Sequence, residues 1–297
     1  MKPKATCFEI ILPVQTYDLD ATLWSGQVFG WTRNETAWTG IIAGRWVALA
    51  SHPTGILART VSPPSNWDWL RNFLQTEVDL AAVIRTFPSD DAHLRSAVVA
   101  CGGLRLVRQE PWECLASFIL SSTKQIVQIR QIVQLLRERF GTAVRVPEGV
   151  APAFAFPTAT QIATLTEADL RACKMGFRAP YLLAAARRVS AGEIKLAAVG
   201  RMDLAAARQE LLRFDGVGEK IADCVLLFAY GFPGAFPVDV WVRRVLVDYY
   251  FRRRQVSDVR LRKFIESHFG PQAGYAQQYL FHHIRTMGGL RGAPPEK

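Results

Sequence analysis

Residues 211–231 read LLRFDGVGEKIADCVLLFAYG, and this stretch decides how the second half of the chain folds. A predicted helix ends near Phe214, the turn Gly216-Val217-Gly218 follows, and a second predicted helix begins near Lys220. The two glycines permit a tight turn and leave backbone N–H groups uncovered at a helix N-terminus. Such groups bind phosphate without reading base sequence. The stretch therefore predicts a hairpin that contacts a nucleic acid backbone; the alternative is an ordinary helical hairpin with a glycine-rich turn.

Two titratable residues flank the second helix of this hairpin. Lys220 lies in its first turn, where a positive charge opposes the helix dipole. It is either a surface lysine that adds a phosphate contact or an amine nucleophile activated by desolvation and by the helix N-terminus. Asp239, within FPVDV at residues 236–240, opens the next predicted helix, where aspartate is a common N-cap. Because one helix and a short loop return the chain toward Lys220, this carboxylate can also stabilise an oxocarbenium ion beside the amine.

The composition is that of a soluble basic protein. Hydrophobic residues make up 49% of the 297 residues, and 36 Lys and Arg outnumber 26 Asp and Glu to give a formal net charge of +10. This balance favours an anionic partner such as nucleic acid, although a solvated basic surface is the alternative. No apolar stretch is long enough for a signal peptide or a membrane span, so we expect a protein that is neither secreted nor membrane-bound.

The cysteines exclude two kinds of scaffold. There are five, and they are scattered without a CxxC motif: Cys7, Cys101, Cys114, Cys173 and Cys224. An odd, dispersed set argues for a reducing compartment, against a disulfide framework and against an iron–sulfur cluster.

The order of elements predicts an α+β fold. Residues 1–100 are predicted to form an antiparallel sheet domain, with strands at 8–12, 29–33, 37–42, 46–50 and 56–61 and a hairpin turn at Ala43-Gly44. Helical spacing appears from Trp67 onward, and residues 101–297 are predicted to form a helical body with the hairpin at about 204–231. The predicted helices of this body are 112–140, 181–189, 204–214, 220–230, 240–251 and 275–287, and Thr166-Glu167-Ala168-Asp169 is typical of a capping box.

GVGEKIADC at 216–224 followed by FPVDV at 236–240 resembles the helix-hairpin-helix and Gly/Pro–Asp signature of the DNA glycosylase superfamily. The chain is similar to the 8-oxoguanine DNA glycosylase family along most of its length. This resemblance implies that Lys220 is the nucleophile and that Asp239 assists it. It further implies a bifunctional glycosylase and AP lyase that flips an oxidised guanine out of double-stranded DNA, without a redox cofactor or a catalytic metal.

The resemblance also implies a base pocket. Ser25-Gly26-Gln27-Val28-Phe29-Gly30-Trp31 matches a family stretch in which the glycine carbonyl accepts the N7 hydrogen of the oxidised purine. By the same resemblance, Cys224 lies against one face of the base, Phe281 lies against the other, and Gln277 contacts the Watson–Crick edge. Gln277 and Phe281 are one helical turn apart, so they share a face of the last helix.

The resemblance also implies which residues contact the parts of the DNA outside the base pocket. Phe177 matches the intercalating aromatic, and Arg178 matches the arginine that contacts the orphaned base. Thr123 and Gln128 replace the family's Asn and Arg that read the opposite cytosine, so the sequence predicts relaxed opposite-base selectivity. Trp241 stands close to Asp239 where the family often has His, and the sequence gives no physical account of the effect of this change. The resemblance also implies a site for a structural cation at the hairpin carbonyls, and the donors here would be those of Leu212, Phe214 and Val217.

Two other functions are weighed against this one. An alkylpurine glycosylase of the same superfamily would keep Asp239 but need no lysine nucleophile. A non-catalytic helix-hairpin-helix DNA-binding protein would need no match to Gly26, Gln277 and Phe281. For the favoured function we expect a monomer, located in the cytoplasm at the nucleoid if bacterial or in the nucleus if eukaryotic.

Overall fold

A computed structural model describes residues 7–61, 63–122 and 124–286. It confirms the α+β class, with a five-stranded antiparallel sheet in the order β1-β5-β4-β3-β2 followed by a helical body. The strands are β1 (Phe8–Pro13), β2 (Trp31–Arg33), β3 (Trp38–Ile42), β4 (Arg45–His52) and β5 (Gly55–Thr60). A small ribbon of β6 (Ala143–Val144) and β7 (Ala153–Phe154) lies within the helical part.

The predicted hairpin turn is confirmed. Ile42 pairs with Arg45, and Ala43 and Gly44 between them have φ of 48° and 71°. Two consecutive positive φ values are the geometry of the two-residue turn that matches the twist of a hairpin. The inner face of the sheet buries Leu12, Trp31, Trp38, Val47, Leu49 and Ile56 in a core shared with the first two helices.

The helices are α1 (Leu19–Trp24), α2 (Asp68–Leu74), α3 (Leu80–Arg85), α4 (Ala92–Ala100), α5 (Pro111–Leu120), α6 (Ile126–Phe140), α7 (Ala159–Ala163), α8 (Glu167–Arg171), α9 (Ala179–Ser190), α10 (Leu196–Val199), α11 (Leu204–Leu212), α12 (Glu219–Val225), α13 (Val240–Tyr250), α14 (Asp258–His268) and α15 (Ala273–Thr286). The capping box predicted at Thr166 is present, with Asp169 accepting from the Thr166 N–H at 2.9 Å. No helix among the described residues is both long enough and apolar enough to cross a membrane.

Two predicted helices were wrong in extent. The helix predicted at 112–140 is divided into α5 and α6, because α5 ends in the polar run that begins at Ser121 and α6 starts again after Gln125. The side chain of Gln128 accepts from the Gln125 N–H at 3.1 Å and so caps the restart. The helix predicted at 220–230 is α-helical only to Val225 and continues as a π-helical turn over Leu226–Tyr230.

Helix α5 lies at the centre of the helical body. Every residue from Cys114 to Leu120 is buried, and the helix packs against α6, α9, α10 and α12. Buried side chains of α3 and α4 belong to this same core. The division of the chain at residue 100 stays a prediction.

The carboxamide of Gln27 joins the loop after α1 to the segment before α5. Gln27 is fully buried, and its Nε2 donates to the carbonyls of Thr22 and Arg105, both at 2.8 Å. Its Oε1 accepts from the Val107 N–H at 2.8 Å. Because Thr22 belongs to α1 and the other two partners belong to the segment before α5, one side chain fixes the loop after α1 against the body.

We predict that Gln27→Leu lowers the free energy of unfolding by about 3 kcal/mol, because it leaves buried backbone donors and acceptors without partners. Denaturant titrations of the two proteins measure this difference. The matched control is Gln209→Leu, an exposed glutamine on α11, which should change stability by less than about 0.5 kcal/mol. Equal stability of the Gln27 variant and the control would show that the network does not hold the two parts together.

Candidate active site

The hairpin places Lys220 at the start of α12. Gly218 is the N-cap of this helix, and Gly216 has φ of 76°, which favours glycine. A Cβ added at Gly216 would lie 2.7 Å from Cγ of Tyr181, so the turn packs directly on that ring. Gly216 and Gly218 are exposed while Val217 is buried, and the predicted phosphate-binding turn therefore lies at the surface.

Lys220 is half-buried and has specific contacts. Its Nζ donates to Oγ of Ser121 at 2.9 Å and lies 5.4 Å from the centre of the Phe118 ring. Beneath it, Asp223 forms a buried ion pair with Arg208 of α11 at 2.7 Å. Burial raises the pKa of Asp223 to about 6, against the opposing effect of Arg208. This pair ties the two helices of the hairpin together below the lysine.

Asp239 is the N-cap of α13, and its Oδ1 accepts from the Val242 N–H at 2.7 Å. The same side chain lines a cavity together with Lys220. One carboxylate oxygen can therefore cap the helix while the charge acts on the cavity, so the capping role and the functional role are compatible.

Every residue predicted for the catalytic pair and the base pocket lines one cavity of about 50 Å³. Its walls are formed by Gly26, Phe118, Lys220, Cys224, Phe228, Pro237, Asp239, Gln277, Gln278 and Phe281. The structure thus brings together residues from α12, α15, the loop after α1 and the loop before α13. Phe118, Phe228 and Gln278 were missed by sequence reasoning, because their apolar or neutral types gave no signal.

The walls of this cavity are mostly uncharged. Burial raises the pKa of the Cys224 thiol to about 12, with Lys220 opposing the shift, so the thiol is neutral at pH 7. Gly26 has φ of 85°, and a Cβ there would lie 2.7 Å from Cδ1 of Ile126. The backbone conformation therefore favours glycine, and a Cβ at this position would also displace the end of the Ile126 side chain. Gln277 is 4% exposed, and Gln278 donates to the Ser25 carbonyl at 3.3 Å, which fixes α15 to the Gly26 loop.

A second cavity of about 290 Å³ lies on the other side of Lys220 and Asp239, and charged side chains dominate it. Arg208 pairs with Asp223, Arg262 with Glu219, and Arg243 with Asp258. Acidic and basic groups offset one another here, so this cavity is not a simple anion site. The catalytic candidates lie where the uncharged and the charged cavities meet.

The residues predicted to contact other parts of DNA lie outside both cavities. Phe177 is 54% exposed, as an intercalating ring requires, whereas Arg178 is 2% exposed and stacks its guanidinium 4.2 Å from the Phe177 ring. Burial lowers the pKa of Arg178. Gln128 is exposed but caps α6, and Thr123 lies outside the described residues.

Two further predicted features lie near the catalytic candidates and at the hairpin. Trp241 is 47% exposed, two residues after Asp239. The predicted cation donors are the carbonyls of Leu212, Phe214 and Val217. One of them, the Phe214 oxygen, accepts a hydrogen bond from the Val217 N–H at 3.1 Å. The cation site stays a prediction.

Comparison with known proteins places this geometry in a family. Residues 9–115 match the 8-oxoguanine DNA glycosylase N-terminal domain, and residues 116–271 match the HhH-GPD superfamily of base excision DNA repair proteins. A probable N-glycosylase/DNA lyase of Methanothermobacter thermautotrophicus is 30% identical over 93% of this chain and 96% of its own length. The N-glycosylase/DNA lyase OGG1 of Arabidopsis thaliana is 27% identical over 94% of this chain and 78% of its own length.

Solved structures agree with these relatives. The Clostridium acetobutylicum 8-oxoguanine glycosylase/lyase, in complex with double-stranded DNA containing cytosine opposite 8-oxoG, has a TM-score of 0.86 to this chain at 28% identity. The match covers 94% of this chain and 98% of that one. The chain therefore belongs to the HhH-GPD superfamily of base excision DNA repair proteins, and within it to the group with an 8-oxoguanine DNA glycosylase N-terminal domain.

Proposed function

We propose that this chain is a bifunctional DNA glycosylase and AP lyase that removes 8-oxoguanine from double-stranded DNA. One observation carries the proposal: a lysine amine, a carboxylate and the predicted base-binding residues line a single cavity although they come from distant parts of the sequence. The names and substrates of the relatives support the same activity. Its place in a cell is wherever the DNA is, the nucleoid of a bacterium or the nucleus of a eukaryote.

The chemistry follows from the amine and the carboxylate. The Lys220 amine attacks C1′ of the flipped nucleotide, the C1′–N9 bond breaks, and its electron pair leaves with the base. Asp239 stabilises the positive charge that develops on the sugar. After the amine loses its proton and the sugar ring opens, the Schiff base acidifies the C2′ hydrogen. Loss of that proton breaks the bond to the 3′ phosphate and nicks the strand.

Base recognition uses the uncharged walls. The Gly26 carbonyl accepts the N7–H of the oxidised purine, which undamaged guanine lacks, and Gln277 binds the Watson–Crick edge. Cys224 and Phe281 enclose the two faces. A cavity of about 50 Å³ has room for about two water molecules. A purine is larger than this space, so we expect its binding to be accompanied by rearrangement of the cavity walls, with the half-buried Phe281 as one wall.

The surrounding surface binds the duplex. Gly216 and Gly218 are exposed, and backbone N–H groups at this helix N-terminus together with the net charge of +10 favour phosphate contacts. Phe177 inserts into the base stack, and Arg178, released from the Phe177 ring, contacts the orphaned base. The enzyme acts as a monomer in this proposal.

The rival activity within the superfamily is alkylpurine excision, for which Asp239 alone suffices. It gives no reason for an amine at the cavity wall. The placement of Lys220 against Ser121 and Phe118 therefore favours the lyase mechanism.

We predict that Lys220→Gln abolishes base release and borohydride trapping on an 8-oxoguanine duplex, because the amine forms the new bond. Binding of the damaged duplex should stay within about threefold, since the pocket walls and the hairpin remain. The control is Lys195→Gln, an exposed lysine outside the cavity, which should trap normally. Substantial strand nicking by the Lys220 variant would reduce Lys220 to a phosphate contact.

We predict that Asp239→Asn slows single-turnover base excision by about a hundredfold or more, because the charge matters most as the sugar becomes cationic. Asparagine caps helices about as well as aspartate, so α13 and the melting temperature should be preserved. A variant with a lower melting temperature but unchanged chemistry would leave Asp239 as an N-cap alone.

We predict weak discrimination among bases opposite the lesion, because Thr123 and Gln128 are neutral residues in place of the family's Asn and Arg and leave directional readout to Arg178. The single-turnover excision rates should be comparable on duplexes with cytosine, thymine or guanine opposite the lesion. A fourth duplex with adenine opposite the lesion completes the series. A preference for cytosine above about a hundredfold, roughly 2.7 kcal/mol in barrier, is the result that this prediction forbids.

A further inference from the structure

The amine of Lys220 is held by a residue from a distant part of the sequence. Nζ donates to Oγ of Ser121 at 2.9 Å across 99 positions of sequence. The hydroxyl donates its own proton to the Phe118 carbonyl at 2.7 Å. Since that proton is committed, a lone pair of the hydroxyl is directed at the amine. The direction of this hydrogen bond is therefore fixed, with the lysine as donor and the serine as acceptor.

The acidic groups around the amine have other partners. Glu219 pairs with Arg262, and Asp223 pairs with Arg208. Asp239 accepts from the backbone N–H of Val242. Among the described residues, Lys220 forms no ion pair within 4.0 Å of a carboxylate, and its amine donates instead to the serine hydroxyl.

We infer that Ser121 is a positioning residue that holds the Lys220 amine for attack on the sugar. The inference rests on the proposed function. Ser121 takes no proton from the amine in this role, because its lone pair only accepts a hydrogen bond and its own proton is directed to Phe118. It acts by placing the amine rather than by forming or breaking a bond.

The placement is rigid because Ser121 is the C-cap of α5, the buried central helix of the body. Its hydroxyl is fixed to the last turn of that helix, whereas lysine has a flexible four-carbon chain with large rotamer entropy. Restricting this chain before the substrate arrives lowers the entropic part of the barrier to attack. The Phe118 ring, from the same turn of α5, restricts the amine from a second side.

The test uses Ser121→Ala, which removes the acceptor, and Ser121→Thr, which keeps it. The matched control is Ser122→Ala, which removes the neighbouring hydroxyl. For each protein, single-turnover excision is measured on an 8-oxoguanine duplex, and the rate of borohydride trapping is measured on a duplex with a preformed abasic site. Affinity is measured with a duplex containing a tetrahydrofuran abasic analogue, which cannot form a Schiff base.

We expect Ser121→Ala to slow excision and trapping by about tenfold each, since both steps use the same amine. Affinity for the tetrahydrofuran duplex should stay within about twofold, because the hydroxyl contacts the lysine and not the DNA. Ser121→Thr should retain both rates within about threefold, and Ser122→Ala should match the unmodified protein.

Two outcomes would overturn the inference. One is unchanged rates in Ser121→Ala. The other is a loss of rate in Ser121→Ala that is accompanied by weaker DNA binding and a lower melting temperature, with Ser121→Thr showing the same loss of rate. That result would show that Ser121 has a structural role only. Failure of the proposed function looks different, because then the unmodified protein itself would form no trapped adduct.

Discussion

The buried carboxamide of Gln27 is the contact on which the geometry of the cavity depends. Gln27 follows Gly26 directly, and its side chain is bonded to α1 on one side and to the segment before α5 on the other. Gly26 lies opposite residues of α12 and α15 that are about 200 or more positions away in the sequence. In the proposed function, the base binds between these two parts of the chain, so their relative position must be fixed. Any other arrangement would leave the buried Gln27 amide without hydrogen-bond partners, which is unfavourable.

The charges of the site are separated by the same packing. On one side of Lys220 the walls are uncharged, with a neutral Cys224 thiol and aromatic rings that suit the faces of a base. On the other side the arginines and carboxylates are paired with one another. The amine and Asp239 line both cavities. In the proposed function, a sugar held there would meet the amine and a negative charge while its base lies among uncharged groups. This division is compatible with the proposal that the hairpin both binds phosphate and carries the attacking amine.

Sequence reasoning succeeded where the signal was local. The turn at Gly216-Val217-Gly218, the hairpin at Ala43-Gly44 and the capping box at Thr166 depend on neighbouring residues, and all are present. The break between α5 and α6 was missed because apolar spacing continues across it, although Ser121 to Gln125 is a polar run. Helix α14 was also missed, although Ser257 is a good N-cap whose hydroxyl accepts from the Arg260 N–H.

The contacts that complete the site could not be predicted in the same way. Ser121 and Lys220 have ordinary residue types and ordinary neighbours in sequence, and only the packing of α12 against α5 brings them together. The burial of Arg178 beneath the exposed Phe177 ring is likewise a property of the folded chain. The family resemblance supplied residue identities for the pocket, but it gave no information about which residues hold those side chains in place.

The most direct test of the account is to locate the covalent bond. The unmodified protein is mixed with an 8-oxoguanine duplex, reduced with borohydride, digested with nuclease and trypsin, and analysed by mass spectrometry. The account predicts that the sugar remnant is found on Lys220, which blocks cleavage there and yields a peptide spanning residues 214–243. A remnant on another lysine or on the N-terminal amine, with normal cleavage after Lys220, would contradict it.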